Sequence, residues 1–233
     1  MINIALAKGR LAEEGYKVFK ALGYSVPAME KKSRKLIFES PEKGLRFILV
    51  KPADVPIYVE KGAADLGIVG KDTLLEKDRN LYELLDLGFG KCKFSVAGLK
   101  GEDKNFYPGP LRVATKYPKV AKNYFLKRGI AIDIIELQGS VELAPIIGLS
   151  DVIVDIVETG NTLVENGLEV FEDITPLSAR LIANKVSFKT KNGVMETLIE
   201  DIQRYLHRQD VEEKEEDLKK QHFAKEARSH AVD

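Results

Sequence analysis

Residues 151–163 read DVIVDIVETGNTL, an apolar run that ends in a group of short polar side chains. The apolar half is typical of a buried strand. The polar half indicates a turn that opens a helix, where backbone N–H groups converge and can form a cradle for a phosphate. Gly160 lets the backbone approach a ligand closely. The stretch therefore predicts a strand, a phosphate-binding turn and a helix in succession.

Acidic groups accompany this predicted cradle. Asp155 and Glu158 do not suit a phosphate by themselves, but carboxylates beside a phosphate cradle suit ribose hydroxyls or a bound Mg²⁺. The combination predicts a sugar-phosphate site. Plain helix capping by Thr159 or Asn161 is an equally good interpretation of the spacing, because helix N-caps use the same residue types.

The same plan occurs earlier in the chain. Residues 62–74 (GAADLGIVGKDTL) and 148–163 (GLSDVIVDIVETGNTL) each combine a helix end, an aspartate, an apolar strand and a polar turn with Thr-Leu. This repeat predicts two similar lobes, and the alternation of strands with helices predicts an α/β fold with a parallel sheet. Both turns follow strand ends, where open α/β sheets place ligands. A chance likeness is the alternative, since aspartate often precedes a buried strand.

The predicted lobes are discontinuous in sequence. Lobe I comprises residues 1–90 plus 176–208, because an amphipathic segment late in the chain is expected to return and pack on the first lobe. Lobe II comprises residues 91–175 and contains the phosphate cradle. Residues 209–233 carry many charges of both signs and few apolar groups, which is typical either of a solvated helix or of a disordered tail.

Composition excludes several classes of protein. Of 233 residues, 44% are apolar and 31% are charged, as in an ordinary globular protein. The formal net charge is zero, so no overall field favours nucleic acid or an anionic membrane. No apolar run is long enough to span a bilayer, and the first residues are not typical of a signal peptide. We therefore expect a cytoplasmic protein with no nucleic-acid or membrane partner.

Two basic side chains, Lys8 and Arg10, flank Gly9 between the first predicted strand and the first helix. Cations at a helix N-terminus oppose the helix dipole unless an anion binds there, so a phosphate or pyrophosphate contact is one interpretation. Two solvated surface cations are the other, with equal weight. Arg34 and Lys51 could add positive charge to the same cleft, although charge runs are more often solvated faces.

Other catalytic devices are missing from the sequence. It contains neither a G-x-x-x-x-G-K-[ST] loop nor a G-x-G-x-x-G motif. His207, His222 and His230 all lie near the C-terminus, away from the predicted cleft. The single cysteine, Cys92, alternates with strand residues and is expected to be a buried structural thiol. A nucleophilic triad is therefore not expected.

Several motifs together resemble the ATP phosphoribosyltransferase family, the first enzyme of histidine biosynthesis. They are ALAKGRL, SRKL, DVPIYVEKGAADLGIVGKD, GKCKFSVAG, VATKYP, ELQGSVELAP, DVIVDIVETGNTL and SARLIAN, and they cover nearly all of residues 1–205. The resemblance implies two α/β lobes like a type II periplasmic binding protein, with the active site between them. It implies that N1 of the adenine of ATP attacks C1 of phosphoribosyl pyrophosphate (PRPP), with Mg²⁺ required, to give N1-(5-phosphoribosyl)-ATP and pyrophosphate.

The resemblance also assigns roles to residues. The run from Glu142 to Leu163 is similar to the family signature, and its second half is similar to the loop that holds PRPP. The residues implied for PRPP are Asp155, Glu158, Thr159, Gly160, Asn161 and Thr162. Those implied as catalytic are Lys8 and Arg10, and those implied as contacts of ATP or pyrophosphate are Arg34, Lys51, Gly67 and Glu142. The ligands of Mg²⁺ stay unknown.

The resemblance is to the short form of the family, because only the charged tail follows Leu206, whereas the long form carries an additional regulatory domain. The short form works with a separate regulatory subunit similar to histidyl-tRNA synthetase, so we expect that partner and a homodimer of this chain. A solute-binding module of the same two-lobe architecture is one alternative, and the acidic groups of Asp155 and Glu158 argue against it. A subunit with weak activity that only assembles with a partner is the other.

Overall fold

The computed structural model describes residues 1–31, 33–101 and 109–229, which form two α/β lobes, each built around one sheet. The strands are β1 (Ile2–Ala7), β2 (Ile37–Ser40), β3 (Leu45–Val50), β4 (Leu66–Gly70), β5 (Tyr82–Asp86), β6 (Cys92–Leu99), β7 (Leu111–Thr115), β8 (Ile132–Glu136), β9 (Val152–Val157), β10 (Leu168–Leu177) and β11 (Ala179–Ala183). The helices are α1 (Arg10–Ala21), α2 (Val55–Glu60), α3 (Lys71–Lys77), α4 (Pro118–Leu126), α5 (Leu143–Ile146), α6 (Asn161–Glu165), α7 (Lys185–Thr190) and α8 (Asn192–Ser229).

The two sheets have the same strand arrangement, apart from β2 at the edge of lobe I, which has no counterpart in lobe II. In lobe I the order is β2-β3-β1-β4-β11-β5, and in lobe II it is β8-β7-β9-β6-β10. Three strands of each sheet run parallel: β3, β1 and β4 in lobe I, and β8, β7 and β9 in lobe II. The next strand, β11 or β6, is antiparallel to them. The strands of the repeated sequence plan, β4 and β9, occupy equivalent positions, and the prediction of two similar α/β lobes is confirmed.

The prediction of a parallel sheet is wrong in part, because both sheets are mixed. β2 and β3 are joined by a short turn that ends at Gly44, with φ 66°, and a connection this short can join only antiparallel neighbours. β6 and β11 each enter their sheet directly from the other lobe, without the crossover helix that a parallel connection requires. The parallel order is therefore limited to the strands that alternate with helices.

The chain crosses between the lobes twice, through residues 87–91 before β6 and through Ser178 before β11. The first crossing is hydrogen-bonded to the first residue of β11, directly after the second crossing. The N–H of Leu87 donates to the carbonyl of Ala179, and the N–H of Ala179 donates to the carbonyl of Phe89, both at 2.9 Å. The crossings therefore form one short two-stranded connection.

Each lobe has its own apolar core. In lobe I, Phe19 of α1 and Phe47 of β3 pack edge to face with ring centroids 5.2 Å apart. Met195 of α8 is fully buried in the same core, so the start of α8 returns the C-terminal segment to lobe I. In lobe II, Phe94 of β6 packs against Tyr117 with ring centroids 4.8 Å apart.

Helix α8 continues through residues 209–229, for which the sequence allowed either a solvated helix or a disordered tail. His207 and His222 both lie in this helix, and residues 230–233, which include His230, lie outside the described residues. Over the ranges that the structure describes, none of the helices combines the length and the apolar character needed to cross a membrane.

Gly67 lies inside β4, against helix α2, rather than at the end of the strand. A Cβ built on Gly67 would come within 2.8 Å of Val59 Cγ2 and 2.9 Å of Val55 Cγ1. Those separations are shorter than real Cβ contacts, so a side chain at this position would displace the helix. The structure thus places Gly67 in helix–sheet packing, whereas the resemblance implied a contact with ATP or pyrophosphate.

We expect Gly67→Ala to lower the free energy of unfolding by about 1–3 kcal/mol, the usual effect of overpacking a core. Gly193→Ala in α8 is the matched control, because a Cβ at Gly193 meets nothing within 4 Å. Gly193 is the second residue of α8, so this change should raise the stability by less than the ~0.5–1 kcal/mol typical of the middle of a helix. Urea denaturation followed by circular dichroism measures both changes, and equal stability of Gly67→Ala and the parent would contradict the packing role.

Candidate active site

The turn after β9 has the geometry of an open cradle. Gly160 adopts a left-handed conformation, with φ 81° and ψ −1°, and occupies the N-cap position of α6, so neither Thr159 nor Asn161 does. The N–H of Asn161 donates to Thr159 Oγ1 at 3.4 Å. Thr159, Asn161 and Thr162 are exposed, and the first N–H groups of a helix have no partner within it. The start of α6 thus offers hydroxyls and N–H groups to a ligand.

Asp155 lies on β9 just before this turn and is partly buried. Burial raises the pKa of its carboxyl group to about 6, although the N–H of Ile156, which donates to Asp155 Oδ1 at 2.8 Å, lowers it. The charge of Glu142 raises the pKa further, and the charge of Lys116 lowers it. Glu142, which the resemblance assigned to ATP or pyrophosphate, therefore lies in lobe II near the acid implied for PRPP.

Three of the predicted cations lie along one edge of the lobe I sheet, at the carboxyl ends of its parallel strands. Lys8 follows β1, and its N–H donates to the carbonyl of Val50 at 2.9 Å, next to Lys51. Arg34 precedes β2, whose antiparallel pairing with β3 brings its start to the same edge. All three cationic side chains are exposed. The structure thus places these charges where α/β sheets bind their ligands.

Arg10 of lobe I and Glu158 of lobe II form an ion pair across the cleft. Arg10 Nη1 and Nη2 donate to the two carboxylate oxygens of Glu158 at 2.9 and 3.0 Å. These hydrogen bonds raise the pKa of the guanidinium and lower that of the carboxyl group. The side chains are 59% and 50% exposed, so the ion pair adds little to stability and is open to exchange with a ligand.

Behind this ion pair lies a cavity of about 240 Å³ with walls from both lobes. Asp72, at the start of α3, lines it and folds over Gly70, where a Cβ would lie 2.0 Å from Asp72 Oδ1. The cavity also has apolar walls, formed by Leu11, Pro52, Ile156 and Leu177.

Cys92 also lines the cavity and is only partly buried, although it packs against the lobe II core, so the prediction of a buried structural thiol is wrong in part. The reason is that Cys92 is the first residue of β6 and directly follows a crossing between the lobes, where one side of the strand borders the cleft. Burial nevertheless raises the pKa of its thiol, which keeps the group protonated and poorly nucleophilic.

A second contact joins the lobes through α3 and the start of α4. The Glu76 carboxylate of α3 accepts the N–H groups of Lys119 and Val120, both at 3.1 Å, in the first turn of α4. The hydroxyl of Tyr117 donates to Asp72 at 3.3 Å. Burial raises the pKa of Tyr117 far above its usual value, so this hydroxyl stays protonated. Helix α4 of lobe II is thus capped by a side chain of lobe I.

Three residues at the strand ends around the cleft were not predicted from the sequence: Asp72, Lys116 and Tyr117. Asp72 follows β4 as Glu158 follows β9, so the internal repeat could have identified Asp72 as a residue of the cleft. Lys116 and Tyr117 follow β7 within the motif VATKYP. A single lysine and a tyrosine between a strand and a helix have no distinctive spacing, so only the fold brings them to the site.

Two lobes of like topology, with cations at the strand ends of one and a phosphate-type loop on the other, define a class of protein. It comprises two-lobed α/β proteins that bind a phosphorylated ligand in the interlobe cleft. The chain belongs to the ATP phosphoribosyltransferase family, since the family model HisG, ATP phosphoribosyltransferase, matches residues 51–204.

Individual relatives agree. The chain is 56% identical over 204 residues to the ATP phosphoribosyltransferase of Clostridium kluyveri, covering 87% of this chain and 92% of that protein. It is 57% identical over 203 residues to that of Alkaliphilus metalliredigens, covering 87% and 96%. The ATP phosphoribosyl transferase (HisG:HisZ) complex from Thermotoga maritima matches with a TM-score of 0.78 at 36% identity, covering 89% of this chain and 100% of that chain.

The predicted family, fold and activity are confirmed by these similarities. The chain is a pentosyltransferase that joins ATP to PRPP in the first step of histidine biosynthesis.

The raised pKa of Asp155 has a consequence for stability. Between about pH 4 and pH 6 the folded carboxyl group binds more protons than the unfolded one, so stability falls as the pH rises through this range. Above pH 6 the total loss in the free energy of unfolding is on the order of 1–3 kcal/mol. We expect Asp155→Asn to be more stable than the parent at pH 7 and equal to it near pH 4, as measured by urea denaturation without substrates.

Asp133→Asn is the control, because Asp133 is an exposed residue of β8 in the same lobe. If Asp155→Asn is no more stable than the parent at pH 7, the pKa of Asp155 is not raised. The same holds if Asp133→Asn gains as much stability as Asp155→Asn.

Proposed function

We propose that PRPP binds to lobe II, that ATP binds mainly to lobe I, and that the two react in the cleft between them. The loop formed by Thr159, Gly160, Asn161 and Thr162 holds the 5-phosphate of PRPP, and Asp155 and Glu158 hold its ribose hydroxyls. The catalytic residues Lys8 and Arg10 contact pyrophosphate, and Arg34 and Lys51 contact the phosphates of ATP. The observation that carries the proposal is the ion pair between Arg10 and Glu158. It joins the residues proposed for PRPP in lobe II to the cations of lobe I across the cleft.

PRPP can replace this ion pair with contacts of its own. Ribose hydroxyls donate hydrogen bonds to a carboxylate, and pyrophosphate accepts them from a guanidinium, so one ligand satisfies both Glu158 and Arg10. The exposed ion pair contributes little, so its loss opposes binding only weakly. Without substrates it keeps both side chains in the cleft, near their sites of action.

The reaction needs positioning more than covalent help. The lone pair of adenine N1 forms a bond to C1 of the ribose, while the C1–O bond breaks and its electron pair leaves with pyrophosphate. N1 is itself the nucleophile and pyrophosphate is a good leaving group, so the protein has to align the reactants and stabilise the departing charge. The cavity of about 240 Å³ beside Glu158, with its apolar walls, suits the planar base of ATP.

Mg²⁺ is proposed to bind together with the phosphates. Among the described residues, no group of three or more histidine, cysteine, aspartate or glutamate side chains could hold a metal ion. In proteins Mg²⁺ usually keeps several waters and binds one or two carboxylates plus substrate phosphates, and Asp155 and Glu142 are two such carboxylates near the loop. When bound there, Mg²⁺ offsets part of the pyrophosphate charge. In this proposal Glu142 acts in the PRPP site of lobe II, and Gly67 allows helix α2 to pack closely on β4.

We expect Gly160→Ala to weaken PRPP binding by about tenfold or more, because a left-handed residue with a side chain is strained by about 1–2 kcal/mol and the added Cβ hinders close approach. Gly167→Ala is the matched control: Gly167 follows α6 with φ 76°, against 81° for Gly160, so the two changes impose similar strain. Calorimetric titration with PRPP and Mg²⁺ measures the affinities. Normal affinity of a folded Gly160→Ala protein, or equal losses in both variants, would refute the role of the loop.

We also propose that the chain acts in the cytoplasm as a homodimer, and that a separate subunit similar to histidyl-tRNA synthetase regulates it. The Thermotoga maritima structure is a HisG:HisZ complex, and closed pairs are the commonest assemblies of identical chains. Feedback by histidine is then a coupling between sites on different chains.

This chain alone is expected to have low activity that histidine does not inhibit, and addition of the regulatory subunit is expected to give higher, histidine-sensitive activity. The reason is that the effector site belongs to the other chain. Initial rates against histidine concentration, for the chain alone and for the mixture, measure both effects. Saturable inhibition of the pure chain by micromolar histidine would place the effector site in this chain and overturn the proposal.

A further inference from the structure

One lysine that the sequence did not single out stands next to the acids of lobe II. Thr115, the last residue of β7, pairs with Val154 of β9 in parallel register. The residues that follow, Lys116 and Asp155, are therefore neighbours at the carboxyl end of the lobe II sheet. Their charges interact: burial raises the pKa of the Asp155 carboxyl group, and the charge of Lys116 opposes that rise.

The turn that carries Lys116 is fixed on both sides. The hydroxyl of Thr115 is fully buried, donates to the carbonyl of Val154 at 2.6 Å and accepts the N–H of Tyr117 at 2.9 Å. Tyr117 is 9% exposed and packs on Phe94. Lys116 is exposed between these two buried residues. An ordered turn thus presents a single cationic side chain to solvent at the strand end.

Lys116 is also a cation without a fixed partner. It forms no ion pair with a carboxylate of the described residues, whereas Lys119, three residues later, donates to Asp78 at 2.6 Å. The proposed catalytic cations, Lys8 and Arg10, both come from lobe I. A lobe that contributes acids to a ligand with a phosphate and a pyrophosphate needs a positive charge of its own, and Lys116 is placed to supply it.

The stereochemistry of PRPP decides which group Lys116 reaches. In this α-anomer the pyrophosphate lies on the same face of the ribose ring as the 2- and 3-hydroxyls, and the 5-phosphate projects from the other face. A cation beside the carboxylate that holds those hydroxyls is therefore beside the pyrophosphate. We propose that Lys116 binds the pyrophosphate group of PRPP from lobe II, opposite Arg10 of lobe I. This inference rests on the proposed function in placing the ribose hydroxyls at Asp155.

Lys116 then acts on the leaving group. As the N1–C1 bond forms and the C1–O bond breaks, the electron pair of the broken bond goes to pyrophosphate and its negative charge grows. The hydrogen bond that the Lys116 ammonium group donates strengthens with that charge. Cations from both lobes on one group also favour closure of the cleft over PRPP.

Titration of the full chain with PRPP, inorganic pyrophosphate and ribose 5-phosphate, each with Mg²⁺, separates the pyrophosphate from the rest of the substrate. We expect Lys116→Ala to weaken binding of PRPP and of pyrophosphate by about tenfold or more, the effect of one charge-assisted hydrogen bond, and to leave ribose 5-phosphate binding unchanged. Lys116→Arg, which keeps the charge, should retain most of the affinity. Lys122→Ala removes an exposed lysine of α4 in the same lobe and should change none of the three affinities.

Two results would overturn the inference. An effect of Lys116→Ala no larger than that of Lys122→Ala would make Lys116 a solvated surface cation. An equal loss of ribose 5-phosphate affinity would place Lys116 at the sugar or its 5-phosphate instead.

Asp155→Asn, titrated with ribose 5-phosphate, tests the proposed function separately. If Asp155→Asn loses affinity and Lys116→Ala binds all three ligands normally, the proposed function stands and the inference fails. If Lys116→Ala loses only pyrophosphate-bearing ligands and Asp155→Asn binds normally, the pyrophosphate contact stands and the assignment of the ribose hydroxyls fails.

Discussion

The hydrogen bonds between the two crossings are the constraint on which the rest of the molecule depends. Leu87 and Phe89 of the first crossing are hydrogen-bonded to Ala179, which directly follows the second crossing, so the lobes share one narrow connection. Each crossing delivers a strand directly into the next sheet, β6 into lobe II and β11 into lobe I. The ends of β1 and β9 can therefore meet, and the contact between Arg10 and Glu158 shows that they do.

The charged side chains around the cleft are only partly paired with one another. The exposed ion pair of Arg10 with Glu158 is balanced, whereas Asp155 is partly buried with its raised pKa, and Lys116 has no ion pair with the described carboxylates. A folded protein in which such groups stay unmatched gives up some stability for function. In the proposed function, the 5-phosphate, the pyrophosphate and the ribose hydroxyls of PRPP supply the missing partners, so binding of the ligand completes the electrostatic matching.

The sequence was sufficient for the two lobes and for the turn between β9 and α6, because buried strands and the polar turns that follow them are local patterns. It was not sufficient for strand direction, since the pairing of β11 with β4 joins segments more than a hundred positions apart. Strand β10 is also hard to predict from the sequence, because two register shifts interrupt the alternation of buried and exposed residues along it. The packing role of Gly67 and the partial exposure of Cys92 were not predicted for a related reason. Whether a strand residue faces a helix, a core or a cleft depends on packing that no local spacing contains.

The capping of α4 by Glu76 restricts how this molecule can open. Pro118 at the start of α4 has no N–H, and the next two backbone donors are satisfied by a carboxylate of the other lobe. Pulling α3 away from α4 would break these hydrogen bonds and that of the Tyr117 hydroxyl, each of which adds about 0.5–3 kcal/mol, so this side of the molecule resists separation. The lobes are therefore expected to rotate about the contact between α3 and α4. The width to which the cleft opens for substrates is then set by this rotation and not by the length of the connection between the lobes.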